Sequence, residues 1–475
     1  MTTTLSYLIF RFANGILAIL TLVYFTRLLN SFEYGAYALF VTISLTTSSI
    51  FFYWLTESIA RFLPNHHQNP SEISTVIAKW FWTSTAVVSA LFIAAFPLCE
   101  KYKLSPIMFF TIFVLTVAYG RYLMVLQITN SQNSPIRYGL LSLSKSALTL
   151  LFGVVLIKCG LGGHGALIGF LVGIVFAILI FEPQPRIGYA IGKVNSKIST
   201  NFIRYGLPLT FSCLGGILVD FVDRLMIGSI IGVSGVAPYA IAYDFIQLTM
   251  GPILNVIMLS TFPLIVKTYD SGKYEESNKY LQDLGVNIIA FGLPLAVGVV
   301  CLSEDIAKSL FGKVFFQESA MILPWLTVAI FVGLFKSYYL DLAFQLRHST
   351  KYLGYIALIM AVVNMLINLL FLSRYGVIAA AWATLGAYLV GAFMSSVIGR
   401  HLLPMPCLNQ VLLKCISASF VMAFILYLMS SLDGIFWLIA KVLIASSVYG
   451  VLGLALNIAG CRRFVKQYVT CFMDY

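Results

Sequence analysis

YFTRLLNSFEYGAYALF, residues 24–40, is echoed by FVDRLMIGSIIGVSGVAPYAIAYDF, residues 221–245. Each runs from an aromatic residue across two positions to Arg-Leu (Arg27-Leu28, Arg224-Leu225), through a short turn, into an aromatic and alanine-rich helix start. The echo extends outward. Arg11-Phe12 precedes the first copy and Arg204-Tyr205 the second. Further on, RYLMVLQITNSQNSPIRYGLL (Arg121–Leu141) parallels YYLDLAFQLRHSTKYLGYI (Tyr338–Ile356), and CGLGGHGALIG (Cys159–Gly169) parallels RYGVIAAAWATLG (Arg374–Gly386). The offset drifts only from 193 (Arg11 to Arg204) to 217 (Arg121 to Tyr338). Turn residues recurring at a near-constant offset indicate six helices repeated as six helices in one orientation. A parallel repeat of this kind predicts two lobes around a central cavity.

Composition says where those helices lie. The chain has 475 residues, 60% of them hydrophobic and 10% charged, against about 25% charged in soluble domains. Water cannot host so much apolar surface; lipid can, provided the backbone bonds to itself, as in helices. Counting runs of about 20 apolar residues predicts an all-α, polytopic integral membrane protein with about fourteen spans, twelve in the two lobes and two more at the C-terminal end. Met1–Ser6 carries no basic residue, and the apolar run Leu5–Leu29 is too long for a signal-peptide core, so it reads as the first span. With the N-terminus cytoplasmic, seventeen lysines and arginines fall on the cytoplasmic side and nine on the other, which places both termini inside. The predicted parts are an N-lobe at 1–182, a cytoplasmic linker at 183–202, a C-lobe at 203–400, and two helices with a basic tail at 401–475.

Several chemistries find no support. The net charge of +12 is spread among the loops, as expected beside a membrane and not of a nucleic-acid binder. Eight cysteines show no metal-ligand spacing and no disulfide framework. No nucleotide-binding loop, nucleophile elbow or zinc-helix motif occurs. No catalytic residue, metal or cofactor is expected. The glycines of GALIGFLVG, at 165, 169 and 173, share one helix face and read as close helix packing. Prolines at 208, 252, 263, 294 and 324 fall within spans of the second half, where kinks would let helices bend.

The residues quoted above carry a family likeness. TRLLNSFEYGAYALF, DRLMIGSIIGVSGVAPYAIAYDF and the long stretch Leu340–Val390 resemble the Wzx-like polysaccharide and O-antigen repeat-unit flippases. These belong to the superfamily that also holds MATE exporters and the lipid II flippase. The resemblance covers residues 1–400 by layout. It implies a MATE-like architecture, alternating access and, as partners, a lipid-diphosphate-linked oligosaccharide, membrane lipids, a coupling proton or sodium ion, and polysaccharide polymerase machinery. It implies a bacterial inner membrane as the location.

Charges inside the spans are the candidate site residues. A charge at a helix centre costs about 2.5–3.5 kcal/mol on insertion scales and usually faces a cavity or a partner. Arg11, Arg121 and Lys145 make the first lobe cationic, and the repeat sets Lys336 in the second lobe at the depth of Arg121. Arginine forks and lysine point charges both suit a diphosphate, so these four are candidate cargo-binding residues. Each also has a structural reading, as a snorkelling or ion-paired side chain. Lys336 can pair with Asp341. Asp220, Asp223, Arg224, Asp244 and Asp341 are candidate coupling or gate residues, with Asp220 and Arg224 spaced to pair along a helix. Glu57 precedes Arg61 by four residues on one helix face. A cation-coupled drug exporter would instead want a buried carboxylate in the first lobe, and a membrane polymerase would want long outer loops. Neither feature stands out.

Overall fold

In a computed structural model, residues 2–66, 70–97, 105–132, 134–182, 192 and 194–462 are described, without the side chains of 2–8, 65, 66, 70 and 211–217. Among them the chain is helical, with no strand. The elements are α1 (Thr2–Leu28), α2 (Ser31–Phe62), α3 (Pro70–Ala95), α4 (Pro106–Ser131), α5 (Pro135–Leu156), α6 (Gly162–Phe181), α7 (Ser196–Ile230) and α8 (Val233–Asp270). They continue with α9 (Tyr274–Cys301), the short α10 (Ser303–Leu310), α11 (Phe316–Phe335), α12 (Leu342–Leu346), α13 (Lys351–Tyr375), α14 (Ile378–Leu402), α15 (Asn409–Leu428) and α16 (Ile435–Leu456). Single π-helical turns, Ile157–Leu161 and Lys336–Leu340, join α5 to α6 and continue α11.

Twelve stretches among the described residues are long and apolar enough to cross a membrane, fewer than the fourteen expected. Two places account for the difference. Pro135–Phe181 is one apolar stretch of 47 residues, yet Gly160 (φ 90°) and Gly162 (φ 49°) break it into two helices. Only glycine takes that left-handed backbone without a steric cost. Ser196–Ile230 is helical throughout but is not among the twelve. Half of the predicted linker (183–191 and 193) and the basic tail from 463 lie outside the described residues.

The chain divides into two compact units, Met1–Ala237 and Pro238–Tyr475. The first includes α7, which the repeat assigns to the C-lobe. Its core runs through Phe52, Leu55 and Ile59 of α2, Ile73 and Ile77 of α3, Met124 and Ile128 of α4, and Phe202 of α7. Polar links cross the same seams. Ser44 and Ser48 donate to the carbonyls of Ile112 and Thr116, and Ser58 donates to that of Phe202. Such bonds hold helices together where lipid supplies no hydrophobic drive. The start of α2 is a capping box: Asn30 accepts from the Glu33 amide at 2.9 Å, and Glu33 accepts from the Asn30 amide at 3.1 Å.

The glycine face of α6 packs on α5 as expected. A Cβ at Gly165 would stand 2.8 Å from the Leu156 carbonyl carbon, and one at Gly173 would stand 2.7 Å from the Lys145 carbonyl oxygen. Both are inside ordinary contact, so the two backbones meet there directly.

In the second unit, Leu254 and Ile265 of α8 pack with Leu281, Leu284 and Ile288 of α9 and with Tyr339 and Leu342. The last two helices rest on α9: Cys415 and Ala418 of α15 join Ile289 and Ala290, and the Tyr449 hydroxyl of α16 donates to the Ala290 carbonyl at 2.9 Å. Their other faces are apolar and open, with Phe420 72% and Phe436 73% exposed, as for helices bathed in lipid.

Candidate functional site

Lys145 lies on α5, half-buried, and its ammonium sits over two rings. The Tyr122 centroid of α4 is 5.6 Å from Nζ, and that of Phe170 of α6 is 5.5 Å away. Among the described residues no carboxylate lies within ion-pair distance of it, and it has no hydrogen-bond partner. Ring faces attract a cation by about 0.5–2 kcal/mol, most when water is excluded. That offsets part of the cost of a lone charge, not all of it. One turn along the same face is Thr149, whose hydroxyl is buried and unbonded among the described residues. On the neighbouring face Ser146 donates to Asn14 Oδ1 of α1 at 2.6 Å. Arg11, one turn before Asn14, is half-buried.

The other deep cations are ion-paired. Arg121 on α4 is 6% exposed and pairs with Glu182, the residue that ends α6, while its guanidinium stands 5.8 Å from the Phe81 centroid. Lys336 is 7% exposed and donates to Asp341 Oδ2 at 2.7 Å, and Asp341 Oδ1 accepts from Ser395 of α14 at 2.7 Å. Lys336 lies two positions before Tyr338, the residue that the sequence parallel sets beside Arg121, and each of the two buried cations meets a carboxylate. Lys336 and Asp341 are five residues apart. On an α-helix they would face about 140° away from one another. The π-turn, marked by the Asp341 amide bonding to the Lys336 carbonyl at 2.9 Å, brings them onto one side.

The cluster on α7 forms as the spacing predicts. Arg224 Nε donates to Asp220 Oδ1 at 2.9 Å, and Arg224 Nη1 donates to Thr42 Oγ1 of α2 at 2.8 Å. Asp223 beside them is fully buried. Asp244 lies on α8, half-buried. Glu57 does not pair with Arg61, which is exposed; its carboxyl instead takes a hydrogen bond from Tyr53, one turn earlier. Arg61 sits close enough to its helix end to keep its charge in water, so pairing gains it little.

Two features went unread in the sequence. Lys441 of α16 is 1% exposed and donates to Asp305 Oδ2 of α10 at 2.7 Å. A lysine inside a final apolar span was the available signal. Tyr239 and Thr384 share a buried hydrogen bond of 3.0 Å; uncharged residues left no charge anomaly to notice.

Helices throughout the described residues, twelve of their stretches long and apolar enough to cross a membrane, with a few buried charges, define a multi-pass membrane protein fold. Residues 2–269 match the family model described as polysaccharide biosynthesis protein, and the chain belongs to that family. Residues 208–370 also match the MatE model. The chain is similar to an uncharacterized membrane protein of Methanocaldococcus jannaschii (24% identity, covering 53% of this chain and 62% of the relative). It is also similar to a probable low-salt glycan biosynthesis flippase, Agl15, of Haloferax volcanii (20%, covering 60% and 59%). It therefore spans about three-fifths of the length of each of these relatives. In fold it is similar to the lipid II flippase MurJ in an inward closed conformation, with TM-score 0.76 at 18% identity over 95% of this chain and 98% of that one. A multidrug resistance MATE transporter of the MOP superfamily, inward-facing, gives 0.63 at 16% identity over 82% and 93%.

Proposed function

We propose that the chain is a flippase that moves an undecaprenyl-diphosphate-linked oligosaccharide repeat unit, of an O-antigen, capsule or exopolysaccharide, from the cytoplasmic to the outer leaflet of a bacterial inner membrane. It works by alternating access of an N-lobe (1–182) and a C-lobe (203–400), with both termini cytoplasmic. It hands its cargo to polysaccharide polymerase machinery. A proton or sodium gradient drives it. Family membership supports the class. The observation that carries the cargo is Lys145, an ammonium over the Tyr122 and Phe170 rings with no carboxylate beside it among the described residues. An anionic diphosphate supplies the missing counter-charge, and low-dielectric surroundings strengthen the attraction beyond its value in water. The rings on either side suit the apolar faces of sugars. Arg11, on the helix that Ser146 ties to α5, adds positive potential. Arg121 serves to hold α4 against the end of α6.

The test is surface polysaccharide in cells carrying Lys145→Ala, at wild-type protein level. Loss of polymer is expected; normal polymer refutes the cationic site. The MatE match at 208–370 supports a second reading, a cation-coupled multidrug exporter. A deletion strain that keeps its surface glycans but becomes drug-sensitive would establish that one instead.

A further inference from the structure

Among the described residues four ion pairs are largely buried; two of them join different helices, while Asp220–Arg224 and Lys336–Asp341 each lie along one. Arg121–Glu182 joins α4 to the end of α6, and Lys441–Asp305 joins α16 to α10. Opening either would undo the packing of two helices. Lys336 and Asp341 belong to one continuous turn, so their pair can open while α11 stays on α14. The partner helix already provides for that event. Ser395 Oγ holds Asp341 Oδ1 at 2.7 Å, so the carboxylate keeps its place when the ammonium leaves. The lysine stem lies along the bare backbone of Gly391, where a Cβ would stand 3.1 Å from Lys336 Cε. The flexible Met360 side chain lies against the same glycine.

We propose that Lys336, Asp341 and Ser395 form a cation-exchange site, in which a proton or a sodium ion takes the place of Lys336 on Asp341 and the released ammonium becomes available to an anion. The charges balance as follows. The closed pair is neutral. One cation enters, nothing leaves, and the group then carries one positive charge. Lys336, Asp341 and Ser395 are 7%, 7% and 1% exposed, so that charge cannot disperse into water and needs an anion. Around the group stand Tyr339 on the same turn, whose hydroxyl donates to the Pro406 carbonyl, Tyr388 of α14, packed on Gly333 one turn earlier, and the Met360 thioether of α13, against Gly391. Among the described residues no other charged side chain lies within ion-pair distance of either partner. Taking the anion to be the cargo diphosphate rests on the function proposed above, and gives that transporter its coupling step: cation first, then cargo on Lys336.

The experiment needs no cargo. Purified full-length protein in detergent is unfolded thermally, with sodium exchanged for choline at constant ionic strength, and separately across pH in choline. A rise of Tm with sodium identifies that ion; a rise only on acidification identifies the proton. Lys336→Gln, which removes the competitor, is expected to lower the half-saturating cation concentration about tenfold, or to raise the midpoint by about one pH unit. Lys336→Arg, a permanent fork that grips the carboxylate, shifts it the other way. Asp341→Asn abolishes the response, and Ser395→Ala weakens it. A static structural pair predicts that Lys336→Gln only destabilises. The proposal is overturned by a wild-type protein that responds to neither ion, by a response surviving Asp341→Asn, or by unshifted midpoints in both Lys336 variants. None of these outcomes bears on the polysaccharide assay, so the two readings fail separately.

Discussion

Removing Asp305 should do more harm than removing Lys441, although both break the same ion pair. At 2.7 Å and an effective dielectric of about 20, the direct attraction is about 6 kcal/mol. Desolvation cancels much of it, so the pair as a whole contributes far less than that. The two single substitutions leave different orphans. The Lys441 side chain is 1% exposed and that of Asp305 is 16% exposed. Asp305→Asn strands an ammonium out of reach of water, and stranding a buried charge costs about 3–5 kcal/mol. Lys441→Met leaves a carboxylate that can rehydrate, and the methionine fills the lysine's space, so about 1–2 kcal/mol is expected, the scale of a lost charge-assisted hydrogen bond. The double variant Lys441→Met/Asp305→Leu should fall close to wild type. The measurement is thermal unfolding of the four purified proteins, together with protease sensitivity of the Ser430–Gly434 loop between α15 and α16, since the pair ties α16 to α10. Equal losses in the two single variants, or a double variant worse than both, would refute the argument from unequal burial.

Three further outcomes follow from the geometry. Gly173→Leu should separate α5 from α6, because its side chain would meet the Lys145 carbonyl and Thr149; a drop in expression and in Tm is expected, and an unchanged Tm would show that the backbones can part freely. Thr42→Val removes the acceptor of Arg224 Nη1 and should cost about 1.5–3 kcal/mol in thermal unfolding, while Thr42→Ser restores it. Asn30→Ala removes the cap of α2 and should cost about 1 kcal/mol, readable as a Tm loss that Asn30→Asp largely recovers.

Much of the architecture is legible in the linear chain because lipid imposes a local rule. A spanning segment must be predominantly apolar and its backbone groups bonded within the helix, so a sliding count of apolar residues finds the helices one by one. The i,i+4 spacing of Asp220 and Arg224 anticipates their pair in the same local way. The fate of the deep cations was not legible. Arg121, Lys145 and Lys336 look alike in the sequence, each a basic residue in an apolar run. Arg121 meets Glu182, 61 positions away, only because α4 and α6 lie side by side. Lys336 meets Asp341 only because the helix takes one π-turn, and no residue type announces such a turn. Lys145 meets two rings and no acid. Glu57, spaced for Arg61, turns instead toward Tyr53.

By itself, the sequence determined that the chain spans a membrane as helices, and which few charges are out of place in lipid. The tertiary structure alone decided which of the deep cations are neutralised: Arg121 by the end of α6, Lys336 by its own turn, Lys441 by α10, and Lys145 by no carboxylate among the described residues. The physical reason is range. Hydrophobic transfer acts residue by residue and is written in composition, whereas an ion pair in a low dielectric depends on a few ångströms between helices that are far apart in the chain.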